Sequence, residues 1–271
     1  MLKNRILVPT NFSDQADLAY KQSVFFSSKT GSDVYLLHII PSLRMIDNSS
    51  DAIESIQSNL TKLVDTFSSE TNSRIHSRIE CGKILPQILA VEKELQPSYI
   101  FIGTDVSAKE TSSKTLKLID SVSCPVVVFA GRFNRTGCDT IVLPLDLSKE
   151  TKQKIDQTIK IAKIYGSTVH IVSATNFSDE MERDRLKEQI LQVKTVFTKL
   201  GIPCVTNLIK TKVDIEVMAN AINDYADDIK ADLIVIMTRQ ETKIQKFFVG
   251  SMAIKLIRKS NVPILCVSPK Q

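Results

Sequence analysis

The chain alternates short, nearly continuous apolar runs with longer amphipathic stretches. Residues 5–10 form a β-branched apolar run. Ser13 then offers an N-cap, and Leu18, Ala19 and Val24 recur at helical spacing, which predicts a helix. Gly31 fits the position just past that helix, where a left-handed backbone ends it. A strand is predicted at 34–40, and Ile53, Ile56, Leu60, Leu63 and Phe67 have the three-to-four spacing of a second helix. Strands at 75–79, 99–102 and 126–129 alternate with helices at 85–95 and 111–122. The second half follows the same order, with Leu186, Ile190, Val193, Phe197 and Leu200 marking its second helix.

The pattern repeats because the residues repeat. Ile6-Leu-Val-Pro-Thr-Asn-Phe-Ser13 returns as Ile141-Val-Leu-Pro-Leu-Asp-Leu-Ser148, and Gly31-Ser-Asp-Val34 as Gly166-Ser-Thr-Val169. Tyr99-Ile-Phe-Ile-Gly103 matches Leu233-Ile-Val-Ile-Met237, and Ser123-Cys-Pro-Val-Val-Val-Phe129 matches Asn261-Val-Pro-Ile-Leu-Cys-Val267. A near-constant offset over four separate segments predicts a tandem duplication. The boundary is placed in the polar, glycine-flanked stretch Gly131–Gly137, giving domains 1–131 and 138–271. Continuous apolar strands between helices belong to parallel sheets covered on both faces. The expected class is α/β: two tandem, open, doubly wound Rossmann-like domains, each a five-stranded parallel sheet flanked by helices. Ligands of such sheets bind at the carboxyl ends of the strands, where strand order reverses.

Composition narrows the class without naming a chemistry. A hydrophobic share of 43% and a charged share of 24% exclude a disordered or low-complexity chain. The net charge of +5, with no clustered arginines and interleaved aromatics, argues against nucleic-acid binding. Five cysteines without CxxC spacing read as reduced thiols of a cytoplasmic protein. No apolar run approaches the length that crosses a bilayer, and no secretory signal is expected. His38, His76 and His170 stand apart from cysteines and carboxylates and read as strand residues. The common hydrolase, zinc-protease and dinucleotide motifs are missing, so no catalytic residue is proposed.

Two segments at strand ends carry candidate chemistry. Pro144-Leu-Asp146-Leu-Ser148 leaves the first strand of the second copy, and its aspartate has the acceptors to hold a ribose hydroxyl. The first copy has Asn11 there. A turn residue bonded to its own backbone would read the same. The second segment runs from Met237 to Gly250-Ser251, which open an amphipathic helix and offer free N–H groups to an anion. Arg239, Lys243 and Lys246 precede it. Alternatively, Ser251 merely caps the helix and the cations are solvated. In the first copy Ser112-Ser113 fall opposite Gly250-Ser251, after a loop four residues shorter, and no tight phosphate site is expected.

These motifs resemble the universal stress protein family, over Leu2–Ala130 and again over Asp139–Pro269. The resemblance implies pairing of domains partly through their last strands, here as an internal pseudo-dimer or a wider homodimer. It also implies that some members bind ATP or a related nucleotide through a loop of form G-x2-G-x9-G-[S/T]. On the second copy those positions are Met237, Gln240, Gly250 and Ser251, so two glycines are replaced and the last pair kept. On the first copy Gly103 survives, with Ser113 at the last position. The family's strand aspartate corresponds to Asp146, and its adenine-contacting backbone to Ala174 and Ile39. Pro144, Asp146, Ala174, Arg239, Gly250 and Ser251 are therefore the candidate nucleotide residues. The expectation is a non-catalytic stress-response protein with a partly degraded nucleotide site. The alternative is an ATP- or AMP-binding sensor with one competent site in domain 2.

Overall fold

The structure is a computed structural model. It describes residues 4–41, 49–68, 73–104, 109–130, 133, 135–146, 151–175, 180–212, 214–238 and 250–269. The chain divides into two compact units: 1–104 with 121–129, and 105–120 with 130–271.

The first unit opens with β1 (Arg5–Thr10), α1 (Asp14–Thr30), β2 (Asp33–Ile40), α2 (Ser49–Ser68), β3 (Ile75–Cys81), α3 (Ile84–Leu95) and β4 (Tyr99–Gly103). The chain continues through α4 (Lys109–Ser121), most of which lies in the second unit, to β5 (Val126–Phe129). The strands are ordered β3-β2-β1-β4-β5, and β1 runs parallel to β2 and β4. Order therefore reverses between β1 and β4. Ile6, Leu7, Val8, Val34, Leu36 and Ile100 have no exposed surface, as continuous apolar runs require of strands covered on both faces. Burying each such side chain is worth about 1.5–3 kcal/mol. Phe101 stacks on Phe129 at 5.8 Å, and Phe26 meets Tyr99 edge-on at 5.3 Å, closing this core.

Local signals place α1. The Ser13 side chain accepts from the Ala16 amide at 3.3 Å, and Asp14 and Asp17 sit in the positive first turn. Gly31 ends the helix at φ 68°, and Gly166 takes the same role at φ 75° in the second copy.

The second unit carries β6 (Thr140–Pro144), α5 (Thr151–Tyr165), β7 (Thr168–Thr175), α6 (Glu180–Lys199), β8 (Cys204–Lys210), α7 (Ile215–Asp228), β9 (Leu233–Met237), α8 (Ser251–Lys259) and β10 (Ile264–Val267). Its strand order is β10-β9-β6-β7-β8, again all parallel, so the reversal falls between β6 and β9. Asp232 fastens the entry to β6 by accepting from the Asp139 and Thr140 amides, both at 2.9 Å. Arg135 pairs with Asp232 at 3.2 Å and donates to the carbonyls of Lys230 and Ala231, so this end of the connecting stretch is tied to the second unit.

Two details differ from the sequence reading. Leu200 lies just past α6 and is 42% exposed, because the helix ends at Lys199 and the chain turns through Gly201. The helix expected near 111 starts at Lys109. Ser112 and Ser113 therefore fall inside α4, where backbone amides serve the helix, and not at an anion-accepting terminus.

Candidate functional site

At the strand reversal of the second unit a cleft of about 80 Å³ opens between the ends of β6 and β9. Pro144, Asp146, Ala174 and Gly250, four of the residues singled out in the sequence, all line it. Ser251 is the first residue of α8 and is exposed; it does not cap the helix, since Gly250 occupies the N-cap at φ −61°, ψ 150°. The Gly250 amide donates to the Thr238 carbonyl at 2.6 Å, which ties the start of α8 to the end of β9. Arg239, Gln240, Lys243 and Lys246 lie outside the described residues.

The rest of the lining is largely apolar. Met218 and Ile222 come from α7, Met237 ends β9, and Met252 and Leu256 come from α8. Met237 stands where the first copy has Gly103, and it lines the cleft. Lys154 also lines the cleft although it is only 5% exposed, and its Nζ donates to the Pro144 carbonyl at 2.8 Å. The ammonium is thus held against the carboxyl end of β6. Sequence reasoning missed it. The repeat held the signal, since Lys154 lies 135 residues after Ala19, which is fully buried.

The first unit treats the same place differently. A Cβ built on Gly103 would run into the backbone carbonyl of Gln15 and the amide nitrogen of Ala16. The first turn of α1 therefore lies directly on the end of β4, and Gly103 is the point where the two backbones meet. Phe12 adopts a left-handed backbone at φ 60°, which costs an aromatic residue roughly 1–2 kcal/mol. Its ring stacks on His38 at 4.7 Å. The His38 ring bonds the Thr10 carbonyl through Nδ1 at 3.0 Å; because a carbonyl only accepts, Nδ1 carries the proton. Asn11 accepts from the Ser13 amide and hydroxyl at 3.2 and 2.7 Å, so it is a turn residue bonded locally. Ile39 is buried.

Three of the five cysteines, Cys124, Cys138 and Cys266, are buried. Burial, with help from Glu92, pushes the Cys124 thiol up to about 12, and burial raises Cys138 and Cys266 further. These thiols are poor nucleophiles at neutral pH. Desolvation lowers the affinity of His38 and His170 for a proton, and His170 Nδ1 meets the Tyr225 hydroxyl at 2.9 Å. Among the described residues no group of three or more His, Cys, Asp or Glu is placed to hold a metal ion, and no helix is long and apolar enough to cross a membrane.

Known proteins fit this picture. A universal stress protein of Methanocaldococcus jannaschii is 27% identical over 146 residues, covering 48% of this chain and 83% of that one. A solved universal stress protein from Archaeoglobus fulgidus superposes with a TM-score of 0.70 at 17% identity, covering 98% of this chain and 96% of that one. A Pseudomonas aeruginosa protein of unknown function gives 0.69 at 16% identity, over 98% and 93%. The profile of the universal stress protein family matches residues 3–130 and again residues 137–268. With both halves matched, the chain belongs to the universal stress protein family as a tandem member.

Proposed function

We propose that this is a non-catalytic stress-response protein whose nucleotide site has degraded in both halves, and that it acts through its paired domains and through partner binding. The two domains span 1–131 and 138–271 and form an internal pseudo-dimer, with no nucleic acid or membrane involved. The observation that carries the reading is the small size of the cleft in the second unit. Pro144, Asp146, Ala174 and Gly250 line it together with Met237 and Lys154, and it holds about 80 Å³. Sites for small organic ligands usually enclose about 300–1,000 Å³. In the first unit the Phe12 ring stacks on His38 and the start of α1 lies against Gly103. Calorimetric titration with ATP and AMP, with and without Mg²⁺, tests this: the reading expects no heat of binding at millimolar ligand.

A second reading is favoured by one feature, the start of α8 at Gly250 on the rim of the cleft. An ATP or AMP sensor would place adenosine beside Asp146 and Ala174, with phosphate met by Ser251 and Arg239. Saturable heat that Ser251→Glu abolishes would select it over the degraded site.

A further inference from the structure

The edge strand of the second unit differs in kind from its counterpart in the first. The repeat makes the comparison position by position. Tyr35, Leu37 and Ile39 on β2 pair with His76, Arg78 and Glu80 on β3. Their counterparts His170, Val172 and Ala174 on β7, each 135 residues later, pair with Val205, Asn207 and Ile209 on β8. On β3 these positions are polar and tied down. Arg78 bonds Glu80 at 2.6 Å and Glu94 at 2.8 Å, and His76 stacks on Tyr35. Charges of this kind are how sheets keep their edges from pairing. On β8 they are gone, and Val205 is 46% exposed.

The backbone of β8 is open in a defined register. Val169 N donates to the Pro203 carbonyl and Thr211 N to the Thr175 carbonyl, both at 2.8 Å. In a parallel ladder this directs the backbone groups of residues 203, 205, 207, 209 and 211 toward β7. Those of Cys204, Thr206, Leu208 and Lys210 then point away from the sheet. Beside that open side lies a groove of about 470 Å³ between α6 and β8, lined by Lys187, Leu191, Lys194, Thr206 and Leu208 among others. Leu191 is 63% exposed. Among the described residues lining the groove there is no carboxylate; Asp184, close by on α6, is engaged with Lys187 at 3.3 Å.

We propose that the β8 edge is a docking strand for an extended peptide of a partner protein in which apolar and acidic residues alternate. The peptide adds as a further strand through the outward backbone groups of Thr206 and Leu208. Its carboxylates, on the α6 face, meet Lys187 and Lys194, and its apolar side chains, on the opposite face, lie beside Val205 and Ile209 of β8. The positive groove selects this occupant over a second copy of β8, which brings no carboxylate and whose one charged residue, Lys210, is itself a cation.

The test uses the full chain and a fluorescein-labelled eight-residue peptide of alternating valine and glutamate, read by anisotropy. Saturable binding that weakens with salt is expected. Thr206→Pro removes one outward amide without touching the β7 ladder and should weaken binding by about tenfold. The double variant Lys187→Glu, Lys194→Glu, on exposed side chains, should weaken it at least as much. Ser77→Pro, at the matching outward position of β3, should leave it unchanged. Circular dichroism melts confirm that each variant folds. The proposal is overturned by no binding at millimolar peptide, by equal binding of a valine–lysine peptide, or by Thr206→Pro binding as well as the natural chain. Sedimentation showing a dimer that Thr206→Pro dissociates would also overturn it, assigning the edge to a second copy.

Discussion

Replacing Gly103 by alanine should destabilise the first unit far more than a surface Gly→Ala change. The new methyl would sit inside contact distance of the Gln15 carbonyl carbon and oxygen and of the Ala16 nitrogen. All three are backbone atoms, so no rotamer change relieves the clash; either α1 or the end of β4 must move. Overpacking a close-packed interior costs typically about 1–3 kcal/mol, and a backbone obstacle places this case at the upper end. Shifting the first turn of α1 also disturbs the Ser13 cap on the Ala16 amide, worth about 1 kcal/mol. The expected loss is therefore about 3–4 kcal/mol. Gly250→Ala is the matched control. Its methyl would meet the Thr238 carbonyl at 3.7 Å, an ordinary contact, at a φ of −61° that alanine adopts freely. It should cost no more than about 1 kcal/mol. Urea unfolding followed by circular dichroism measures both. If Gly103→Ala unfolds at the same urea concentration as the natural chain, or if the two variants lose stability equally, then α1 does not lie against Gly103 as described.

Other expectations follow from single features. Asn223 is buried in α7, and neither atom of its side-chain amide has a hydrogen-bond partner among the described residues. Asn223→Leu should hold or raise stability, by about 1 kcal/mol at most, in the same urea assay. His38 and His170 have lowered proton affinity in the folded chain, so the unfolded chain takes up their protons first. Their contribution to stability is complete above about pH 6.5, the ordinary histidine value, and is lost as pH falls through the lower folded values. The double variant His38→Gln, His170→Gln should flatten urea midpoints measured from pH 7 to 5. Met237→Gly with Lys154→Ala should enlarge the second unit's cleft, and calorimetry should then detect AMP where the natural chain gives no heat.

Much of this was legible in the sequence, because the repeat doubles every signal. Paired runs such as Ile6–Val8 and Ile141–Leu143 announce covered parallel strands, and Gly31 and Gly166 mark equivalent helix stops. Pro144, Asp146 and Gly250 stand at strand ends that the residue pattern itself marks, whereas Ala174 joins them only through the resemblance to the family. What stayed hidden depends on space. Gly103 looks like a surviving loop glycine until the backbone of Gln15 and Ala16 is found against it. Lys154 looks like one of many helix lysines until its burial and its bond to Pro144 are seen. The open register of β8 follows from hydrogen-bond directions that no residue pattern specifies.

The central claim, that the nucleotide site has degraded in both halves, is tested most directly by native mass spectrometry of the freshly purified chain. The account predicts the 30.3 kDa chain, or a whole multiple of it, carrying no adenine nucleotide. A stoichiometric adduct of AMP or ATP on each chain would contradict it.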